Sequence, residues 1–362
     1  MKTYFLSIVL LVFGSAVYGQ EINEVQQDSV SQDTVTVISS EDMQAAGQLY
    51  NDGVNAFTEG AYREALRKFS EAIKIKPNFP KAYYNAALCY IELKDPDSAM
   101  ANLNNVILLQ AYDKAYYLRG TVWVEMNETE EAKADFEQAI SIDSSTVKGE
   151  SYYYLAGLAF EAANYDKAIQ LYDSSLKYKP DYAIAFNDRG SAKRMLEKYN
   201  EAVEDYHRAI KADTNLVIAY SNLGSVKRKL ENPQEAIAAY SKAIEIDPQF
   251  VIAYNSRGVV YKDLGQYKKA LDDFDKAIEL DSTYAFAYNN RANTKYKMKE
   301  YAAAEKDYNR AIKLNADYGY AYFNRGIVRE MLRDNKGACS DWRKAYQLGV
   351  EAAKTYLTQC EK

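Results

Sequence analysis

His207 is the only histidine in a chain of 362 residues, so a Ser–His–Asp or Cys–His relay has one base to draw on. It stands beside Tyr206 on what reads as an outer helix face, where a solvated side chain is the plainer role. No GxxxxGK[ST] phosphate loop, GxGxxG, GxSxG or EF-hand loop occurs. The acid pairs Glu130-Glu131 and Asp272-Asp273 fall in the same part of a recurring unit, as solvated helix faces do. Three cysteines are too few for a disulfide-built scaffold or a four-ligand zinc site. Asn127-Glu128-Thr129 matches the glycosylation pattern, but it lies at an interhelical turn and such matches are common by chance. No catalytic residue, cofactor or metal is expected, and the chemistry left is recognition. Arg194, Arg228 and Lys262 recur at intervals of 34 residues and would serve carboxylates.

Composition narrows the classes further. Hydrophobic residues make up 48% and charged residues 27%, enough to bury a core. Six prolines suit a mostly helical chain, and 34 tyrosines are the outlier. A net charge of -6 argues against nucleic acid as partner.

Side chains at such intervals need an element that recurs with them. The anchors are Ala65, Ala99, Ala132, Ala168, Ala202, Ala236, Ala270, Ala304 and Ala338, spaced by 34, 33, 36 and then 34 five times. Four residues on from each stands Phe69, Leu103, Phe136, Tyr172, Tyr206, Tyr240, Phe274, Tyr308 or Trp342. Twelve residues before each stands a Gly or Ala, from Gly53 to Gly326. Small residues let two helices approach, and the large one fills the space beside them on the same face. Each unit is then a helix pair too thin to bury its own face, so it must stack on its neighbours. Pro77, Pro180 and Pro248 end second helices; Pro96 and Pro233, after Asp95 and Asn232, open them.

This pattern resembles the tetratricopeptide repeat family, whose unit is 34 residues long. The resemblance implies an all-α, right-handed superhelical solenoid of about nine helix-turn-helix repeats with a groove lined by first helices. The repeats read as about 46–79, 80–112, 113–148, 149–182, 183–216, 217–250, 251–284, 285–318 and 319–352, with a capping helix over 353–362. Two extra residues near Val147 to Gly149 predict a kink or longer turn. Cys339 and Cys360 flank a turn near Gly349 almost symmetrically, which places them at similar heights on an antiparallel pair, where a disulfide can reach; two unpaired thiols are the alternative. Cys89 reads as a small buried residue.

Family analogy turns three positions of each first helix into the groove. The first holds Tyr50, Tyr84, Tyr117 and Tyr153, then Asn187, Ser221, Asn255, Asn289 and Phe323. The next residue is Asn51, Asn85, Asn222, Asn290 or Asn324 in five copies, where in related proteins an amide holds the backbone of an extended peptide. The third position holds Phe57, Ile91, Val124 and Phe160, then Arg194, Arg228, Lys262, Tyr296 and Glu330. A two-part groove follows: an aromatic and apolar first half, and a basic second half for an acidic segment, with the switch at the two-residue insertion. The alternative is that the tyrosines pack neighbouring helices, the cations pair with local acids and the asparagines are satisfied locally. No copy shows the Lys-with-Asn pair of the two-carboxylate clamp, which argues against chaperone C-termini as ligands.

Residues 1–19 (MKTYFLSIVLLVFGSAVYG) carry Lys2, an apolar run, and small residues Val17 and Gly19, which predict a signal peptide cleaved before Gln20. The run is too short to span a bilayer, and no cysteine near the cleavage point supports a lipoprotein. Residues 20–45 read as a flexible polar tether, with Ser39 and Asp42 as a capping box for the first helix. The expected function is a non-enzymatic, exported scaffold, periplasmic or at the cell surface, binding an extended peptide or partner protein. Self-association or an envelope complex through the convex face or end repeats is the alternative.

Overall fold

The computed structural model describes residues 38–360; the expected signal peptide, 1–19, and residues 20–37 of the expected tether lie outside them. The described residues divide into two compact units that meet between Asp181 and Tyr182.

Unit one contains α1 (Ser40–Thr58), α2 (Tyr62–Ile75), α3 (Pro80–Glu92), α4 (Pro96–Leu109), α5 (Asp113–Glu125), α6 (Thr129–Ser141), α7 (Lys148–Glu161) and α8 (Tyr165–Tyr178). The helices pair antiparallel as α1/α2, α3/α4, α5/α6 and α7/α8, and each pair packs on the next. Ser39 caps α1 by accepting a hydrogen bond from the Asp42 amide at 3.0 Å. The helix therefore takes in residues 40–45 of the stretch read as tether. The two-residue insertion becomes the longer turn 142–147, pinned where buried Asp113 accepts from the Thr146 amide at 2.7 Å.

Unit two contains α9 (Ala183–Met195), α10 (Tyr199–Ala212), α11 (Val217–Lys229), α12 (Pro233–Ile246), α13 (Val251–Asp263), α14 (Tyr267–Leu280), α15 (Ala285–Lys297), α16 (Tyr301–Leu314), α17 (Gly319–Met331), α18 (Asn335–Gln347) and the short α19 (Ala353–Leu357). Consecutive first helices also touch directly, α9 with α11, α11 with α13, α13 with α15 and α15 with α17, so all five lie side by side on one face. Cys339 and Cys360 form a disulfide, with Cα atoms 5.7 Å apart, and Tyr356 packs on Trp342 and Phe323 at 4.8 and 5.3 Å. Among the described residues no helix is long and apolar enough to cross a membrane.

The small–large–small pattern has a direct cause. A Cβ added at Gly53 would come 2.6 Å from the Phe69 ring, and one at Gly258 2.8 Å from Phe274. The first helix thus lies flat on the ring of the second helix, and the anchor alanines are fully buried beside it. Every turn inside a repeat closes on a left-handed residue. Only Gly60 and Gly265 are glycine there; Lys94, Asn127, Ala163, Glu197, Glu231, Lys299 and Arg333 hold the same conformation at φ between 58° and 66°.

Candidate functional site

The face of the first helices is built on what the second helices push up beneath it. In unit two the buried Tyr206 hydroxyl lies 3.3 Å from the Ser191 hydroxyl, and Tyr308 donates to Asn293 Oδ1 at 2.6 Å. Where the residue above is apolar, Val259 or Ile327, the second helix supplies Phe274 or Trp342 instead. Burial pushes the Tyr206 hydroxyl above its ordinary value, while Ser191 and the Arg194 charge pull it back. These tyrosines stay protonated and hold the face in place.

A second device fixes five of the pairs and had no part in the sequence expectations. Arg119, Arg189, Arg257, Arg291 and Arg325 on first helices make two-pronged ion pairs with Asp135, Asp205, Asp273, Asp307 and Asp341, each 16 residues later on the second helix. Repeat one reverses the pair as Lys68 with Asp52 at 3.4 Å, and repeats four and six place Leu155 with Leu171 and Leu223 with Ala239 there. The spare guanidinium nitrogen often reaches the previous repeat, as from Arg119 to Asn104 at 2.6 Å and from Arg257 to Ser241 at 2.9 Å. The recurring Arg and Asp were visible in the sequence; their 16-residue spacing was the signal.

In unit one the expected tyrosine surface is mostly interior. Tyr84 and Tyr153 are buried, so they pack between helices and do not offer a ligand surface. Tyr84 sets its ring edge-on to Tyr112 at 5.5 Å, and Tyr153 lies 5.8 Å from Tyr172. Tyr50 and Tyr117 are half-buried against Phe69 and Phe136. Phe160 is half-buried on Tyr165. The outward residues of this face are Glu92, Glu125 and Glu161, one per repeat, each immediately after the expected apolar position. Partial burial raises all three carboxyls above their usual value.

The asparagines are spent between repeats. Asn85 is buried and donates to Tyr50 Oη at 3.1 Å; Asn222 donates to Asn187 Oδ1 at 3.0 Å, and Asn290 to Asn255 Oδ1 at 2.9 Å. Each bond joins residues 35 apart, the second position of one repeat to the first position of the repeat before it. They form a ladder that ties neighbours together, each of these amides giving an N–H to it. Asn51 is exposed and Asn324 half-buried. Asn289 Oδ1, the equivalent acceptor for Asn324, is buried and takes no donor.

The basic positions of unit two do share one face. Arg228 and Lys262 both reach Asp263, each at 3.3 Å, so this part of the face holds local compensation. Arg194 has an enclosed Nε with no hydrogen-bond partner. Tyr296 is half-buried against Tyr301. The change from aromatic to basic positions falls between repeats four and five, at the unit boundary and not at the two-residue insertion. Among the described residues no group of acidic, Cys or His side chains is placed to hold a metal ion.

Models described as tetratricopeptide repeat match residues 56–119, 113–146, 153–217, 251–284 and 285–318, and one described as TPR repeat matches 226–265. Hsp70-Hsp90 organizing protein 3 of Arabidopsis thaliana is 29% identical over 128 residues, 35% of this chain and 17% of that protein. The chain thus spans about a sixth of that relative's length. A tetratricopeptide repeat protein of Parabacteroides merdae superimposes with a TM-score of 0.57 at 18% identity, covering 69% of this chain and 99% of that one. PilF of Pseudomonas aeruginosa superimposes with a TM-score of 0.52 at 18% identity, over 59% and 97%. With helix pairs stacked in register and these models matched along most of its length, the chain belongs to the tetratricopeptide repeat family.

Proposed function

We propose that this protein is a non-enzymatic scaffold that captures an extended peptide or a partner protein on the face of its first helices, in the cell envelope. The observation that carries this reading is the row Arg194, Arg228 and Lys262, one cation per repeat on adjoining helices, with Asp263 the carboxylate that Arg228 and Lys262 reach. The family mediates protein–protein interaction, in keeping with this reading. Export is supported by the 1–19 leader and by the Cys339–Cys360 disulfide, a bond at home in an oxidising compartment.

The test is a pull-down from envelope extract with residues 20–362 as bait, beside the triple variant Arg194→Glu, Arg228→Glu, Lys262→Glu at matched helicity. A protein retained by the wild type and lost by the variant is the expected result. The same protein on both baits would move recognition to the convex face or the end repeats.

A further inference from the structure

Unit two carries a second row that the cations alone do not explain. The second residue of each first helix is Ile184, Ile218, Ile252, Phe286 and Tyr320, at an unbroken interval of 34. Unit one has Gly47, Lys81, Lys114 and Glu150 at the same distance, 18 residues, before the anchor alanine. Ile184 and Ile218 are half-buried. Ile252, Phe286 and Tyr320 are 44%, 48% and 62% exposed. Phe286 is propped from below by Tyr284 and Tyr318 at 5.6 and 5.1 Å, so its ring is held out. Three large apolar side chains exposed in line, one per repeat, form a contact surface.

The cationic row stands ten residues further along the same helices, from Ile184 to Arg194, from Ile218 to Arg228 and from Ile252 to Lys262. Ten residues of helix rise about 15 Å. The face therefore has an apolar rail and a basic rail about that far apart, with the asparagine ladder between them. The ladder's amides are bonded across repeats and form the floor between the rails.

The spacing along the rails decides what fits. Packed helices lie about 8–10 Å apart, which is the step from one repeat to the next. An extended chain advances about 3.3 Å per residue, so it meets successive repeats about every third residue. That odd step would turn its side chains to the opposite rail at each repeat. A helix rises about 1.5 Å per residue, so the same step is about six residues, and because an amphipathic stripe at i, i+3, i+4 and i+7 runs unbroken along one side, that side meets every repeat. Over repeats five to seven, where both rails run, they keep their sides and match a helix, whose diameter of about 10–12 Å fits between them.

We propose that the first-helix face of unit two binds an amphipathic helix of a partner protein, apolar along one side and acidic along the other. This deepens the groove reading and rests on it. The apolar side lies on Ile252, Phe286 and Tyr320. The carboxylates meet Arg194, Arg228 and Lys262, where an incoming acid displaces Asp263. The row turns to Tyr296 and Glu330 in repeats eight and nine, so the acidic residues belong over repeats five to seven and the apolar contact dominates beyond them.

The experiment measures fluorescence anisotropy of labelled model peptides with the disulfide-intact chain 20–362. The probe is a 21-residue Glu/Leu amphipathic helix. The controls replace every Glu with Lys, replace every Leu with Ser, or insert two prolines at unchanged charge. Only the intact acidic probe should bind, with weakening on the order of tenfold or more from Arg194→Glu with Arg228→Glu and from Phe286→Ser with Tyr320→Ser, at unchanged circular dichroism. Equal binding of the proline-broken probe would overturn the helical ligand, and equal binding of the Lys probe would overturn the basic rail. If no probe binds while the triple variant still loses its captured protein from envelope extract, this ligand class is wrong and the groove reading stands. A chain starting at residue 38 that binds the probe more than tenfold tighter than 20–362 would assign the face to the chain's own acidic segment 20–37, against a partner.

Discussion

Arg257 and Asp273 form two bonds of 2.9 and 2.7 Å in a site where Asp273 is almost fully enclosed. Burial outweighs the clasp and lifts the Asp273 carboxyl above its usual value. A raised folded value means that this group's stabilisation is present below the unfolded value and lost as pH rises through the folded one. Arg257→Leu leaves the carboxylate buried and alone, so it should cost about 3–5 kcal/mol at neutral pH, with a smaller deficit near pH 4. Adding Asp273→Leu makes the apolar pair that repeat four has in Leu155 and Leu171, and should recover most of the loss; thermal melts of the three proteins decide this. The same sign applies to Glu92 and Glu161 in unit one. Glu92→Gln with Glu161→Gln should raise the melting temperature at pH 7 and change nothing at pH 3.5. At this scale the sequence was only partly legible. The anchors were plain because a ring and a glycine must fit each other at every copy. The clasps were missed because charged residues were read as solvated faces, and the tyrosines were misplaced because ring size alone does not say which face is wet.

Seven of the nine turns within repeats put a side chain into the left-handed region, which glycine enters freely. At Ala163, with φ 58°, no polar side chain softens that conformation. Ala163→Gly should therefore stabilise unit one by up to about 1 kcal/mol, seen as a higher urea midpoint with an unchanged slope. A change of Gly265, with φ 72°, to Val should do the reverse. Helix pairing and the proline-set ends were readable because period and proline geometry are local properties. The asparagine ladder was not, because a residue that faces a groove and a residue that bridges to the helix alongside occupy the same stripe of one helix. Only the neighbour 35 residues away separates the two roles.

On the scale of the whole chain, four repeats make one compact unit, and five with α19 make the other. Trp342, Val350 and Tyr356 pack together against repeat nine under the Cys339–Cys360 bond. Reduction of that bond should loosen α18 and α19 by about 3 kcal/mol, read as faster amide exchange around Trp342 and unchanged exchange in α9 to α12. The repeat architecture was legible along the chain, but the division between the units was not, since the period runs across it unbroken. The clasps and the Tyr-over-Ser pairs also bear on how such a chain can change in length. They join residues 16 and 15 apart, inside one copy, whereas the asparagine ladder joins residues 35 apart, across two. A gene duplication that adds one copy delivers its interior complete, and what selection has to repair is the ladder and the spare guanidinium bonds at its two seams.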